Sequence, residues 1–280
     1  MSDEFILEFC NVSLRYDQTW ALRNVCITLK PGETRVIFGQ AGSGKTTLLK
    51  AVIGLVPVDE GKILLFGEDV TALSEEKLYR LRSRAGFLFQ EGGLFDSLTV
   101  GENVEYPIVN QQASGDARTN GNKAEEAAPD NRARETLRFV ELEQTFDSAP
   151  SSLSGGMRRR VGIARAIVTE PPLILYDSPT AGLDPITANT IMELVAKERD
   201  VRNSASLIVT HRYQDGEIMD DFRYDPRQEL LVPLIGEESP KRNRTRFIVM
   251  KDGAVVFEGT RLQMEASQDD YVKKFIRHDI

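Results

Sequence analysis

"TRVIFGQAGSGKTTLLKAVIGL", Thr34 to Leu55, decides the fold. An apolar strand-like run ends at Gly39, a glycine-rich loop follows, and "KTTLLKAVIGL" continues with helical character. Gly39, Gln40, Ala41, Gly42, Ser43, Gly44, Lys45 and Thr46 fit G-x-x-x-x-G-K-[ST], and Thr47 continues the same turn. Glycines let backbone N–H groups turn inward around phosphates, and the helix that follows adds its positive N-terminus. Lys45 brings a point charge to the β and γ phosphates, and Thr46 brings an oxygen to Mg²⁺. A guanine reader needs N-K-x-D. The one Asn-Lys pair, Asn122-Lys123, lies in a polar stretch without large apolar residues, which disfavours GTP.

Working outward, "LILYDSPTAGLDP" (Leu173 to Pro185) carries an apolar strand into Asp177, where a carboxylate can hold Mg²⁺ through water. "SASLIVTH" repeats the pattern and ends at His211, and "FLFQ" ends at Gln90. Apolar strands separated by helices predict a parallel sheet covered on both faces, with ligands met at the strand ends. Ser154, Gly155 and Gly156 precede a helix with no bulky side chain, a second anion cradle. Two half-sites far apart on one chain point to a nucleotide shared between two copies.

The remaining segments are less regular. Phe5 to Tyr16 and Ala21 to Lys30 read as strands, Ser74 caps a helix, and "RFIVMKDGAVVFEG" reads as a hairpin. Gln111 to Asn131 cannot bury a face and is expected to be a mobile insertion; a helix is expected from about Arg132 to Val140. Phe222 to Arg246, with "ELLVPLI" between polar flanks, is expected to clamp a subunit interface. The tail is expected to be helical, with Tyr271, Phe275 and Ile276 on one side.

With 280 residues, 41% hydrophobic and 28% charged, the chain suits one large α/β domain. A net charge of -8 disfavours a nucleic-acid partner. Cys10 and Cys26 lack metal-site spacing and read as buried small hydrophobes. No signal peptide and no run near the ~18 apolar residues of a membrane helix is seen, so a soluble or peripheral cytoplasmic chain is expected.

The ordered set formed by the phosphate loop, "FLFQ", "LSGGM", Asp177, "AGLD" and "VTH" resembles the ABC-type ATPases. That resemblance implies an α/β fold: a P-loop NTPase (RecA-like) core, an antiparallel β subdomain and an inserted α-helical subdomain. It divides the chain into one domain over 1–260, a helical subdomain over 90–155 and a C-terminal tail over 261–280. It implies ATP and Mg²⁺ as cofactors, Tyr16 against adenine and His211 on the γ-phosphate. Gln90 would sense Mg²⁺ and a membrane partner. Ser154, Gly155, Gly156 and Asp184 would cover the ATP of a second subunit in a head-to-tail dimer. Met157 stands where glutamine is commoner. "LFDSLTVGENVEYP" and "GGM" are similar to the ATPases of Mla/Mce-type lipid transporters. That implies a MlaE-like permease, an MCE-type substrate-binding protein and a place on the cytoplasmic face of the membrane. Leu94, Phe95, Leu98 and Val100 fit either a helical core or a permease groove.

The resemblance expects a glutamate after Asp177 to polarise the attacking water, and the chain has Ser178. General-base help is worth about 10² to 10⁴ in rate. Three readings stay open: a natural variant whose water is held by His211 and Asp184, one half of a heterodimer, or a trapping substitution. The first leaves a working ATPase; the second leaves a switch or a degenerate half-site. A ribosome- or DNA-acting relative would carry two cassettes or a long coiled coil, and neither is present.

Overall fold

The computed structural model describes residues 5–90, 92–113, 128–234 and 244–276. The chain opens with β1 (Leu7–Tyr16), β2 (Thr19–Leu29) and β3 (Thr34–Gly39), then α1 (Lys45–Val52), β4 (Glu60–Leu65) and β5 (Glu68–Asp69). Next come α2 (Glu75–Arg82), β6 (Ala85–Leu88), α3 (Val100–Ala113), α4 (Pro129–Phe139) and α5 (Gly155–Ile167). The second half holds β7 (Leu173–Asp177), α6 (Pro185–Arg202), β8 (Ala205–Val209) and α7 (Tyr213–Asp221). The last elements are β9 (Phe222–Asp225), β10 (Leu230–Pro233), β11 (Thr245–Lys251), β12 (Ala254–Gly259), α8 (Arg261–Glu265) and α9 (Asp270–Lys273).

The main sheet runs β12-β11-β3-β8-β7-β6 and is parallel except for the β11–β12 hairpin. Its central strands β3, β7 and β8 are buried on both faces, so side-chain alternation divides the core in two. Phe38, Tyr176, Ile208 and Phe247 join one cluster with α3 to α6. Ile37, Leu175, Leu207 and Ile248 join the other with α1 and the antiparallel sheet β2-β1-β4-β5. Helices over both faces are what keep these continuous apolar strands out of water.

At this level the structure bears on four expectations. Cys10 and Cys26 are exposed, not buried. Their neighbours Phe9 and Ile27 point into the core, and the period of two turns both cysteines outward. The stretch 111–131 is narrower than expected. Gln111 to Ala113 end α3, and Pro129 to Asn131 begin α4 with Pro129 in its first turn, where its missing N–H costs nothing. Residues 114–127 lie outside the described part of the chain. Within 222–246, β9 and β10 form a hairpin, and 235–243 also lie outside the described residues. The hairpin is anchored on its own α6: Tyr224 N donates to Asp200 Oδ2 at 2.7 Å, and Arg199 Nη2 donates to the Phe222 carbonyl at 3.0 Å. In the tail, Tyr271, Phe275 and Ile276 pack against the first core cluster, and the described residues form two short helices, α8 and α9, with 277–280 outside the described part of the chain.

Candidate nucleotide site

Register places the site. Phe87 and Leu88 lie beside Leu175 and Tyr176, Asp177 lies beside Val209, and Val209 lies beside Ile37. Four chain segments therefore leave the sheet at the same end: the glycine loop after β3, Gln90 after β6, Ser178 after β7 and His211 after β8. That shared end is the crevice where open α/β sheets bind ligands.

The loop itself is tightly specified. Gly44 has φ +98°, and a Cβ there would lie 2.1 Å from the Ala21 carbonyl oxygen. Only glycine fits both the turn and the close approach of β2. Gly42, at φ +79°, faces open space. Lys45 Nζ donates to the Gly39 carbonyl at 2.7 Å and the Gln40 carbonyl at 2.8 Å, so its charge lies over the loop. Burial lowers the Lys45 pKa, and the nearby Asp177 charge opposes that. Thr46 Oγ1 lies 3.3 Å from Asp177 Oδ1. A hydroxyl and a carboxylate, brought together from α1 and β7, form a hard-oxygen pair that fits Mg²⁺.

The other expected residues fall into separate groups. Tyr16 is exposed at the end of β1, on the hairpin whose second strand touches Gly44. Gln40, Ala41, Gln90 and His211 are exposed at the sheet end. Ser178 has φ +53°, donates its N–H to the Val209 carbonyl at 2.9 Å and turns its hydroxyl onto Asp177 Oδ1 at 3.3 Å. Ser154, Gly155 and Gly156 are not beside the phosphate loop of their own chain. Ser154 caps α5 by accepting from Met157 N at 3.2 Å, and Gly155 and Gly156 face Leu183 and Thr187. Asp184 caps α6 through Ile186 N and Thr187 N at 3.1 and 3.0 Å. Its hydrogen bonds with Thr187 lead in holding its carboxyl below the usual range. Its oxygen is thus committed to a helix cap within this chain.

Several contacts near the site are invisible in the motifs. The Tyr271 hydroxyl accepts from Gln40 N at 3.4 Å and donates to the Met250 carbonyl at 3.1 Å, so the tail reaches the base of the loop. Asn103 is fully buried; its amide donates to the carbonyls of Phe95 and Thr99, and its oxygen accepts from Phe95 N. Arg165 donates to the carbonyls of Gly93 and Gly92 at 2.8 and 2.9 Å. Together they shape the chain after Gln90 into one wall of an apolar groove of about 500 Å³, lined by Tyr79, Phe87, Phe89, Phe95, Tyr106 and Pro107. Phe95 and Tyr106 pack at 4.7 Å and are both exposed, whereas Val100 is core. A polar residue inside an amphipathic helix was the only available signal for Asn103.

Residues 22–181 match the ABC transporter family. The chain belongs to that family. It is 31% identical, over 97% of its own length and 90% of the relative's, to the intermembrane phospholipid transport system ATP-binding protein MlaF of Haemophilus influenzae. It is 39% identical, over 70% of its own length, to the methionine import ATP-binding protein MetN of Corynebacterium glutamicum, and spans about half (52%) of that relative. Among solved structures, a dimeric ATP-binding cassette in a post-hydrolysis state bound to ADP and Pi superposes with a TM-score of 0.72. That cassette is 31% identical, over 91% of this chain and 98% of its own. The α/β architecture is therefore that of an ABC cassette, a P-loop NTPase fold, and ATP with Mg²⁺ is the ligand pair of such a site. No helix among the described residues is long and apolar enough to cross a membrane.

Proposed function

We propose that this ABC ATPase is the ATP-binding subunit of a transporter for lipid or other hydrophobic cargo, peripheral on the cytoplasmic face of a membrane and seated on a separate permease. One observation carries the reading. Phe89 lines the apolar groove, and the next residue, Gln90, stands at the nucleotide end of the sheet. A permease helix in the groove and a nucleotide at the loop would act on adjacent residues of one chain. The length of the match to MlaF supports lipid as the cargo class and a MlaE-like permease with an MCE-type partner. The MetN likeness, which covers half of that relative, supports methionine as the rival cargo.

In this reading Tyr16 offers its ring to adenine, the backbone from Gly39 to Thr47 cradles phosphate, and Lys45 holds the β and γ phosphates. Thr46, Asp177 and Gln90 hold Mg²⁺, which when bound neutralises charge that builds on the transferred phosphoryl group. His211 contacts the γ-phosphate. Ser154, Gly155, Gly156 and Asp184 face the ATP of a second cassette, so ATP closes the dimer and hydrolysis or release reopens it. Ser178 has no carboxylate for the attacking water, and its hydroxyl is turned onto Asp177. Hydrolysis then rests on positioning and electrostatics, at a rate about 10² to 10⁴ below that of a cassette with a base. That geometry also supports a second reading, a switch or heterodimer half-site with little turnover.

The test is the ATPase rate of the chain assembled with its permease, for the wild type, Lys45→Ala and Ser178→Glu. A wild-type rate lost in Lys45→Ala supports the working ATPase. No wild-type rate, with activity appearing in Ser178→Glu, supports the switch. Stimulation by phospholipid vesicles and not by methionine supports lipid cargo, and the reverse overturns it.

A further inference from the structure

We infer that Asp215 is the positioning residue that couples the loop after β7 to the loop carrying His211. The inference rests on the proposed role of His211 at the nucleotide.

Asp215 lies in the first turn of α7, four residues beyond His211, and is completely buried. One of its oxygens, Oδ2, accepts from Thr180 Oγ1 and from Thr210 Oγ1, each at 2.6 Å. Thr180 follows Ser178 on the loop after β7, and Thr210 immediately precedes His211 after β8. Both threonines are also buried, at 1% exposure, so water does not compete for these bonds. Hydrogen bonds to a buried carboxylate are among the strong ones, and leaving the carboxylate short of a partner is costly.

The network extends in both directions. Thr210 Oγ1 accepts from Arg212 N at 3.1 Å, which fixes the backbone on the far side of His211. The Arg212 side chain reaches Asp215 Oδ1 at 3.2 Å and Asn189 Oδ1, on α6, at 3.4 Å. The helix holding Asn189 begins at Asp184. His211 itself is exposed, and the backbone on each side of it is tied down by one hydroxyl. Because a single oxygen takes both threonines, neither loop can shift without straining the bond to the other. A rearrangement of the loop carrying Thr180 therefore reaches Thr210, beside His211, through Asp215 Oδ2 as well as through the backbone bond from Ser178 N to the Val209 carbonyl. A demonstrated dependence of one loop on the other is the physical content of such coupling.

The chain contains two histidines, His211 and His278, so a histidine-labelled protein gives two imidazole signals by NMR, assigned with His211→Gln. Thr180→Val, a change on the opposite loop, is expected to move the His211 signal and leave His278 in place. In an Asp215→Asn background the same change is expected to move it less than half as far, the non-additivity that marks a shared partner. An unmoved His211 signal, or equal movement in both backgrounds, overturns the inference. If Asp215→Asn does not fold, Thr210→Val breaks the same link with the carboxylate retained and takes its place. In the assembled complex, Asp215→Asn is expected to lower kcat about tenfold or more with KM for ATP within about twofold. Unchanged kcat, or a KM that rises as kcat falls, also overturns it. A wild-type rate no higher than that of Lys45→Ala would instead sink the hydrolytic reading, and the NMR result would still decide the role of Asp215.

Discussion

Glu198 makes the stability of this protein depend on pH in the direction opposite to ordinary acid denaturation. It sits on α6 with no exposed surface, and its nearest cation is Arg202 Nη1 at 3.3 Å. Burial pushes its carboxyl from 4.5 up to about 7, with Arg202 pulling the other way. The folded chain thus holds a proton that the unfolded chain releases across that window. Stability is highest where both states are protonated and falls as pH rises from about 4.5 to about 7. Above the folded pKa the cost is complete. The span between the two values corresponds to about 3 kcal/mol as an upper bound. Glu198→Gln keeps the shape and removes the titration. It is expected to be more stable than the wild type by about 1–3 kcal/mol near pH 8, and equal to it near about pH 3.5, below both values. Urea unfolding of both proteins across this range, read as their difference, separates Glu198 from every other titrating group. A difference that does not vary with pH, or a variant less stable near pH 8, would refute the argument.

Gly44→Ala places a Cβ 2.1 Å from the Ala21 carbonyl oxygen at a φ of +98°. Nucleotide affinity, read by equilibrium titration with a fluorescent ATP analogue, should fall tenfold or more, the scale of about 1.4 kcal/mol. Asn103→Ala removes the amide that donates to the carbonyls of Phe95 and Thr99 and leaves the Phe95 N–H without the side-chain oxygen that accepts it. It should lower stability by about 1–3 kcal/mol. It should also weaken capture of the permease while ATP binding is kept, which a pull-down beside an ATP titration would show. Tyr271→Phe removes the hydroxyl between Gln40 N and the Met250 carbonyl. A loss of about 1 kcal/mol is expected in thermal melting, with saturating ATP recovering part of it. Full-sized loss without nucleotide recovery would place the tail outside the loop's influence.

Local chemistry made much of this protein legible in its sequence. A phosphate loop is a contiguous string whose glycines, lysine and threonine act through their own backbone and near neighbours, so Gly39 to Thr46 declare it without a fold. Asp177 and His211 were legible because an apolar run that stops at a polar residue marks a strand end. The parallel sheet then carries those ends to one crevice. Period-two alternation was equally available for Cys10 and Cys26, but composition outweighed it and both were read as core.

What remained hidden depends on pairs distant in sequence. Nothing near Thr180 says that its hydroxyl meets Asp215, or that Thr210 meets the same oxygen; that follows from β7 lying beside β8 and α7 folding over them. The groove is assembled from α2, β6, α3 and α5, and no one of them encodes it. The hairpin after α7 was read as an interface clamp, and its hydrogen bonds to α6 of the same chain had no local signal. Sequence by itself determined the cassette and its nucleotide loop. Tertiary structure alone decided which buried carboxylates hold the site together, because burial and distance are properties of the packed chain.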